Sequence, residues 1–537
     1  MGEANALNGL GGVESALGRF EPARAHYIEA RQLHKQTGDV LGEANALKGL
    51  GGVELIMACY EPALKYFTEA LRLYKQNANI LGEANVLDEL GRVERALGRI
   101  EQAWANYTEA LRLHQQISNV LGEANARIGL GEVERALSRN ETARAHFTEA
   151  LRLYKQIGNI QGTANAYSSL GGMEREMGRF EQARAQLIEA QLMYKRIGDI
   201  LGEANAHNGL GRIEISLGRF EPARMHFAEA LRLQKQIGNV LGEANALRGL
   251  GEVERTLGRN EPARTHFIEA MRLHKQIGNV LGEANALSGL SFVERALGRI
   301  ELALAFLTEA LLLHKQIGDI LGQANALDGL GHMEHVLGRY ETAHSNFTEA
   351  RRLHKQIGNV LGEGTAHAGL GGVERSLGHE DKARTHFTEA LRLSKQIGNV
   401  LGEANAISGL GHIEHGLRRQ DQALMHFTEA LRLHKQIGNV LGEANALLCL
   451  GYVEQALGRF EPAETHLTEA MLLYKQIGNV LAEANTLFAL GELSRCTLSE
   501  NTARVQFRDA AVLFGIAGQI EKQDLANRLA TEAWSTI

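Results

Sequence analysis

The chain repeats itself every 40 residues, and no other feature limits its possible folds so tightly. Written in rows of 40, residues 1–520 align as thirteen rows without a gap. Column 10 is leucine in every row, from Leu10 to Leu490, and columns 23 and 30 are alanine in every row. All five prolines fall in column 22 (Pro22, Pro62, Pro222, Pro262, Pro462). A fixed period of this size marks a solenoid, in which one supersecondary unit stacks on its own copies. Such a unit buries its apolar stripe only against its neighbours, so stability is a nearest-neighbour sum along the stack.

Each row reads as two helices. The first runs from about column 40 of one row to column 17 of the next, as in Val40, Leu41, Ala44, Leu47, Leu50, Val53 and Met57, spaced mostly at three and four residues. Asp39, Asn79 and Asn119 stand at the N-cap position, and glycine fills column 18 in nine rows, a natural helix stop. The second helix spans about columns 21–37, with Ala143, Phe147, Ala150, Leu151 and Tyr154 as its stripe. Proline in column 22 sits in its first turn, where the missing N–H costs little. Glycine at columns 2, 9 and 11 costs a helix roughly 1 kcal/mol each against alanine. Close packing between helices must offset that cost. Row 13 degenerates, and residues 521–537 read as a C-terminal capping helix with Leu525, Leu529, Ala533 and Trp534 on one side. Met1 begins inside a first helix, without the lead-in of later rows, which suggests the repeat part of something longer.

Composition removes several function classes. A net charge of -7 argues against a generally basic nucleic-acid surface. Cys59, Cys449 and Cys496 form no CxxC pair and suit a reducing compartment. No apolar run approaches the roughly 18 residues of a membrane span, and the N-terminus is neither a signal nor a transit peptide. A cytoplasmic protein is expected.

Row 2 carries Leu47-x2-Leu50-Gly51-x2-Glu54, then Ala63-x3-Phe67-x2-Ala70. This resembles the tetratricopeptide repeat over residues 1–520. Leu47 stands for the usual tryptophan, Lys75 for the final proline and Glu54 for the usual tyrosine, and each row runs six residues past the usual 34. The 40-residue form is similar to the repeats of Pins-type G-protein-signalling scaffolds, although the tail shows no Gα-binding motif. The resemblance implies an all-α, right-handed α-solenoid of thirteen antiparallel helix pairs. Its repeats would start at 1, 41, 81, 121, 161, 201, 241, 281, 321, 361, 401, 441 and 481. It also implies a non-catalytic scaffold that binds a protein or peptide along a concave groove lined by first helices. The alternative is the ligand-sensing region of a larger signalling protein whose ATPase or protease-like domain lies outside this chain.

Columns 5, 8, 12 and 15 share one face of the first helix. Columns 8 and 12 vary freely, as a ligand surface or a drifting solvated face would. Column 5 is asparagine in twelve rows, Thr365 being the exception. The ladder Asn45, Asn85, Asn125, Asn165, Asn205, Asn245, Asn285, Asn325, Asn405 and Asn445 suits the backbone of an extended peptide, since an amide both donates and accepts. Bonding to a neighbouring helix is the other use open to it. Columns 5, 8, 12, 15 and 16 hold eleven basic residues against six acidic ones, with Arg95, Arg135, Arg175, Arg255, Arg295 and Arg375 in column 15. An acidic partner is therefore expected.

Little else suggests chemistry. His332 with His335, and His412 with His415, offer half a zinc site each and lie two rows apart, so no metal or cofactor is expected. Histidines in columns 26 and 34 read as half-buried packing. Glutamate fills column 14 in twelve rows and shares the face of the core leucines. A buried carboxylate needs partners, and the arginine of column 19 is the candidate.

Overall fold

The computed structural model describes residues 2–57, 59–137, 139–497 and 499–531. The described residues form 27 α-helices and no strand. The chain divides into two compact units, residues 1–217 with eleven of the helices and residues 218–537 with sixteen. In both units the helices alternate as the sequence period demands, first helix then second, and the fold is an all-α solenoid. Val40–Ile56 followed by Tyr60–Gln76 is typical. Column 39 caps the first helices: Oδ1 of Asn79 accepts from the Gly82 N–H at 2.7 Å, and Oδ1 of Asn159 from Gly162 at 2.8 Å. The C-terminal helix runs Ile520–Thr531, with Leu529 packed beside buried Phe507. Ala533 and Trp534 lie outside the described residues.

The core is a file of similar joints. Phe347 shows how one is made. Its ring is fully buried between two first helices, that of its own row and that of the next. A Cβ added at Gly331 would meet the ring at 2.9 Å, and one at Gly369 would overlap it from the other side. The helix-weakening glycines therefore leave the space in which an aromatic side chain joins two repeats. Leu370, Val373 and Ala343 complete this joint.

Turns between helices place the described residues of column 18 in the left-handed region, which glycine adopts freely. Arg418 occupies the same position with φ 59°. Arg418→Gly is expected to raise stability by about 0.5–1 kcal/mol by relieving Cβ strain. Chemical denaturation checks this, and an unchanged midpoint would show the turn to be unstrained.

Candidate functional site

Each unit carries a depression on the faces of successive first helices. In the first unit it measures about 740 Å³ and spans rows two to five; Asn85, Asn125 and Asn165 line it with Lys48, Arg92 and Arg95. Its wall also bears Asp88, Glu89 and Glu132. In the second unit it measures about 400 Å³ and spans rows ten to twelve, from Arg375 to Cys449. Both are lined largely by columns 5, 8, 9, 12 and 15.

The asparagines stand at the surface. Asn45, Asn125, Asn165, Asn205, Asn285, Asn325, Asn405 and Asn445 are exposed, while Asn85 and Asn245 are half-buried. Four are held by a tyrosine of the second helix in the same row. The hydroxyl of Tyr74 donates to Oδ1 of Asn45 at 2.6 Å, Tyr154 to Asn125 at 2.6 Å, Tyr194 to Asn165 at 2.8 Å and Tyr474 to Asn445 at 2.6 Å. Burial pushes the Tyr74 and Tyr194 phenols up to about 12, so they remain donors. With Oδ1 occupied, the amide N–H₂ is left to face the depression. At these four positions the asparagine oxygen serves the fold, by bonding the neighbouring helix.

The arginines of column 15 fall into two groups. Arg135 pairs with Glu132 at 2.8 Å and approaches Glu176 at 3.9 Å, and Arg175 lies 4.0 Å from Glu176. Arg92 of column 12 pairs with Glu89 at 2.9 Å. Much of the positive charge counted along the first unit is therefore neutralised within it, partly by Glu89 of column 9, which the count omitted. Arg95 sits beside the Tyr107 phenol. Arg255 lies over the Phe292 ring, 5.7 Å from its centroid. Burial, together with the charge of Arg295, pulls its pKa down. Among the described residues Arg255, Arg295 and Arg375 have no carboxylate within 4.0 Å.

The column-14 glutamates are more deeply engaged than their spacing implies. Glu294 is fully buried; Arg299 of column 19 reaches it at 3.2 Å and Arg264, from the preceding row, at 2.6 Å. Arg24 and Glu54 (2.7 Å) and Arg384 and Glu414 (2.6 Å) repeat the inter-row pairing. Trp104 takes the arginine's place toward Glu134 at 2.9 Å. Column 24 is the partner that sequence reasoning missed. It stands in the previous row, and its recurring arginine was the available signal.

Column-34 histidines are fully buried, not half-buried. His114 and His354 bond Asp88 and Asp328 at 3.0 Å, while their Nδ1 atoms accept from Asn119 and Asn359 at 3.0 Å. Both ring nitrogens are satisfied, one by the first helix of the same repeat and the other by the N-cap of the next first helix, which is how burial is tolerated. His332 packs edge-on against Phe347 at 4.9 Å, and the His335 ring meets the Ser376 hydroxyl at 2.8 Å. His412 packs on Phe427 at 5.1 Å and lies 3.8 Å from the Cys449 thiol. Burial, helped by the charge of Arg375, holds His412 down to about 4, and burial pushes the thiol up to about 12. No group of three or more His, Cys, Asp or Glu residues suited to a metal ion occurs among the described residues, and no described helix is long and apolar enough to cross a membrane.

Comparison with known proteins bears on the fold. The chain is similar to a Rap protein solved in complex with competence and sporulation factor (14% identity, 67% of this chain and 99% of that one, TM-score 0.49). It is also similar to yeast Tom70 (17%, 90% and 95%, 0.42). A signal-transduction ATPase with a tetratricopeptide repeat sensor from Pyrococcus horikoshii is a third (18%, 63% and 54%, 0.45). No curated protein sequence matches the chain. The profile described as tetratricopeptide repeat matches residues 2–76, 82–156, 162–236, 203–276, 242–316, 282–356, 322–396 and 362–436. Over most of its length, therefore, the chain is built on that repeat, and it belongs to the tetratricopeptide repeat family.

Proposed function

We propose that this chain is a non-catalytic interaction scaffold that holds an extended peptide segment of a partner protein against its first helices. One observation carries the proposal. The depressions in the two units are lined in large part by columns 8 and 12, which vary freely between rows, and by column 5, whose recurring asparagine presents amide N–H₂ groups there. Amide donors at regular intervals match the carbonyls of an extended backbone whatever its side chains, and the variable columns supply selectivity. Asn45, Asn85, Asn125, Asn165, Asn205, Asn245, Asn285, Asn325, Asn405 and Asn445 form the backbone-reading set. Arg95, Arg135, Arg175, Arg255, Arg295 and Arg375 add a preference for acidic segments, strongest where no internal carboxylate competes. The 40-residue period supports a partner of the kind served by Pins-type scaffolds, and three free cysteines suit the cytoplasm.

The test uses a panel of fluorescein-labelled random peptides titrated against the whole chain. Asn125→Ala with Asn165→Ala is expected to weaken the bound members by about tenfold or more; the melting midpoint should fall as well, because Tyr154 and Tyr194 lose their acceptors, so binding is compared at a temperature where both chains are folded. Tyr154→Phe, which releases the Asn125 amide, should weaken them less. Undiminished binding by the double variant would remove the asparagines from the proposal.

A further inference from the structure

Histidine is unevenly spread along the array. Eleven of the 21 histidines fall in rows nine to eleven, residues 321–440, while rows two and five have none. Row ten departs furthest from the repeat. His367 stands in column 7, where eight rows carry leucine, and it is buried. Its Nδ1 lies 3.0 Å from Nδ1 of His386, on the second helix of the same row. Beside this pair, His344 and His379 take the two places that arginine holds around Glu294, and they reach Glu374 at 3.4 and 2.7 Å.

We propose that row ten is an acid-sensitive joint of the solenoid, closed at neutral pH and opened when protons saturate the His367–His386 pair. Two facing Nδ1 atoms at 3.0 Å hold one proton between them, so that one ring donates and the other accepts. A further proton can settle on an outer Nε2 without breaking that bond. Once both Nδ1 atoms carry hydrogen, two cations face each other with no acceptor between them, and helix Val360–Ser376 must part from Glu380–Gln396. The surroundings resist that charge. The preceding second helix, Tyr340–Gln356, brings Arg351 and His344, and Glu380–Gln396 adds Arg392, while Glu389 and Glu374 pull the other way. The flanking first helices supply His335 and His412, both in the field of Arg375. Burial first, then His386 and Arg351, hold His367 down to about 4, and burial holds His386 down as well. A group held down in this way favours the folded state fully above the ordinary imidazole pKa of roughly 6.5, and that contribution is lost as pH falls toward about 4. Glu374 works in the opposite sense. Burial raises its carboxyl, but the His379 hydrogen bond, Lys382 and His344 hold it below the usual range, and charging the two imidazoles strengthens both contacts. Acid therefore opens row ten between its own two helices, while its attachment to row nine through Glu374 and His344 holds.

The experiment measures hydrogen-exchange protection across the whole chain at about pH 7.5 and about pH 5, each corrected for the intrinsic exchange rate. Rows two and five are the internal reference, since they carry the same glutamate–arginine joints without histidine. Over residues 360–390 protection is expected to fall about tenfold more than in that reference. H367L, which restores the leucine of other rows, and H386Q, which copies Gln186 of row five, should each cut the excess below about threefold. H426Q removes the column-26 histidine of row eleven, where column 7 holds Ile407, and should leave the excess within about twofold of the parent. Circular dichroism melts at neutral pH establish that each variant folds, and H386Q decides the matter should H367L not fold. An equal loss of protection in all rows, or the full excess retained in H386Q, would overturn the proposal. An excess that H426Q removes as completely as H386Q would assign the response to buried histidines in general and overturn the role of the pair.

Discussion

Phe347→Ala is expected to cost about 3–5 kcal/mol, the range for emptying a fully buried aromatic site. The neighbourhood cannot collapse to fill the gap, because Gly331 and Gly369 carry no side chains to move inward. His332, packed edge-on at 4.9 Å, loses its support as well. The loss should be local. Each repeat packs mainly on its neighbours in sequence, although Gly258 of row seven also approaches Gly478 of row twelve, so the joint between rows nine and ten weakens while most distant joints keep their strength. Denaturant unfolding should therefore broaden or split into two steps, and hydrogen exchange should speed up within roughly residues 320–390 before it does elsewhere. A single sharp transition shifted by less than about 1 kcal/mol would mean that the ring is not what joins these repeats. Gly331→Ala tests the same joint from the opposite side. Its methyl group would press on a ring already held, at an expected cost of about 1–3 kcal/mol.

The second large effect concerns Glu294, and its mark is an asymmetry. Removing Arg264 leaves a fully buried carboxylate with Arg299 alone. Breaking a buried pair by deleting one partner costs about 3–5 kcal/mol, and the remaining arginine should reduce this to about 2–3. Removing the carboxylate is milder. The Arg264 and Arg299 side chains are 35% and 48% exposed, so both guanidinium groups can turn to water. Glu294→Gln should cost about 1 kcal/mol, and the double variant less than the sum of the two. Equilibrium unfolding of the three variants measures this. A costlier Glu294→Gln than Arg264→Ala would show that the arginines, not the carboxylate, are the strained partners.

The helices were legible in the sequence because period, cap and stop coincide. Asn79 caps, Leu50 is buried and the column-18 glycines turn. Interactions across rows were harder to see. A search within one row finds Arg299 beside Glu294 but not Arg264, thirty residues earlier. Burial of column 34 was misjudged because His, Tyr, Gln and Ser share it, a mixture that looks amphipathic. Asp88 and Asn119 supply the partners that let His114 be buried, whereas His274 is buried with neither ring nitrogen hydrogen-bonded. The groove face was readable from which columns vary. Its free charge was not: a column count subtracts Glu132 without showing that it is Arg135 that it neutralises, and it omits Glu89, which pairs with Arg92. The division after residue 217 has no counterpart in the repeat pattern, which runs through it unchanged.

The glycine-flanked ring has a consequence for how such a chain can change length. Because the joint at Phe347 draws on columns 9, 10, 11, 13, 23 and 27, and the same side-chain types recur around Phe267 and Phe387, removing or inserting one whole row brings together halves that already fit. Recombination between near-identical rows would then add or delete 40 residues without creating a foreign interface. What such an event alters is the order of side chains along the exposed columns, so specificity can be reshuffled while the fold is left alone.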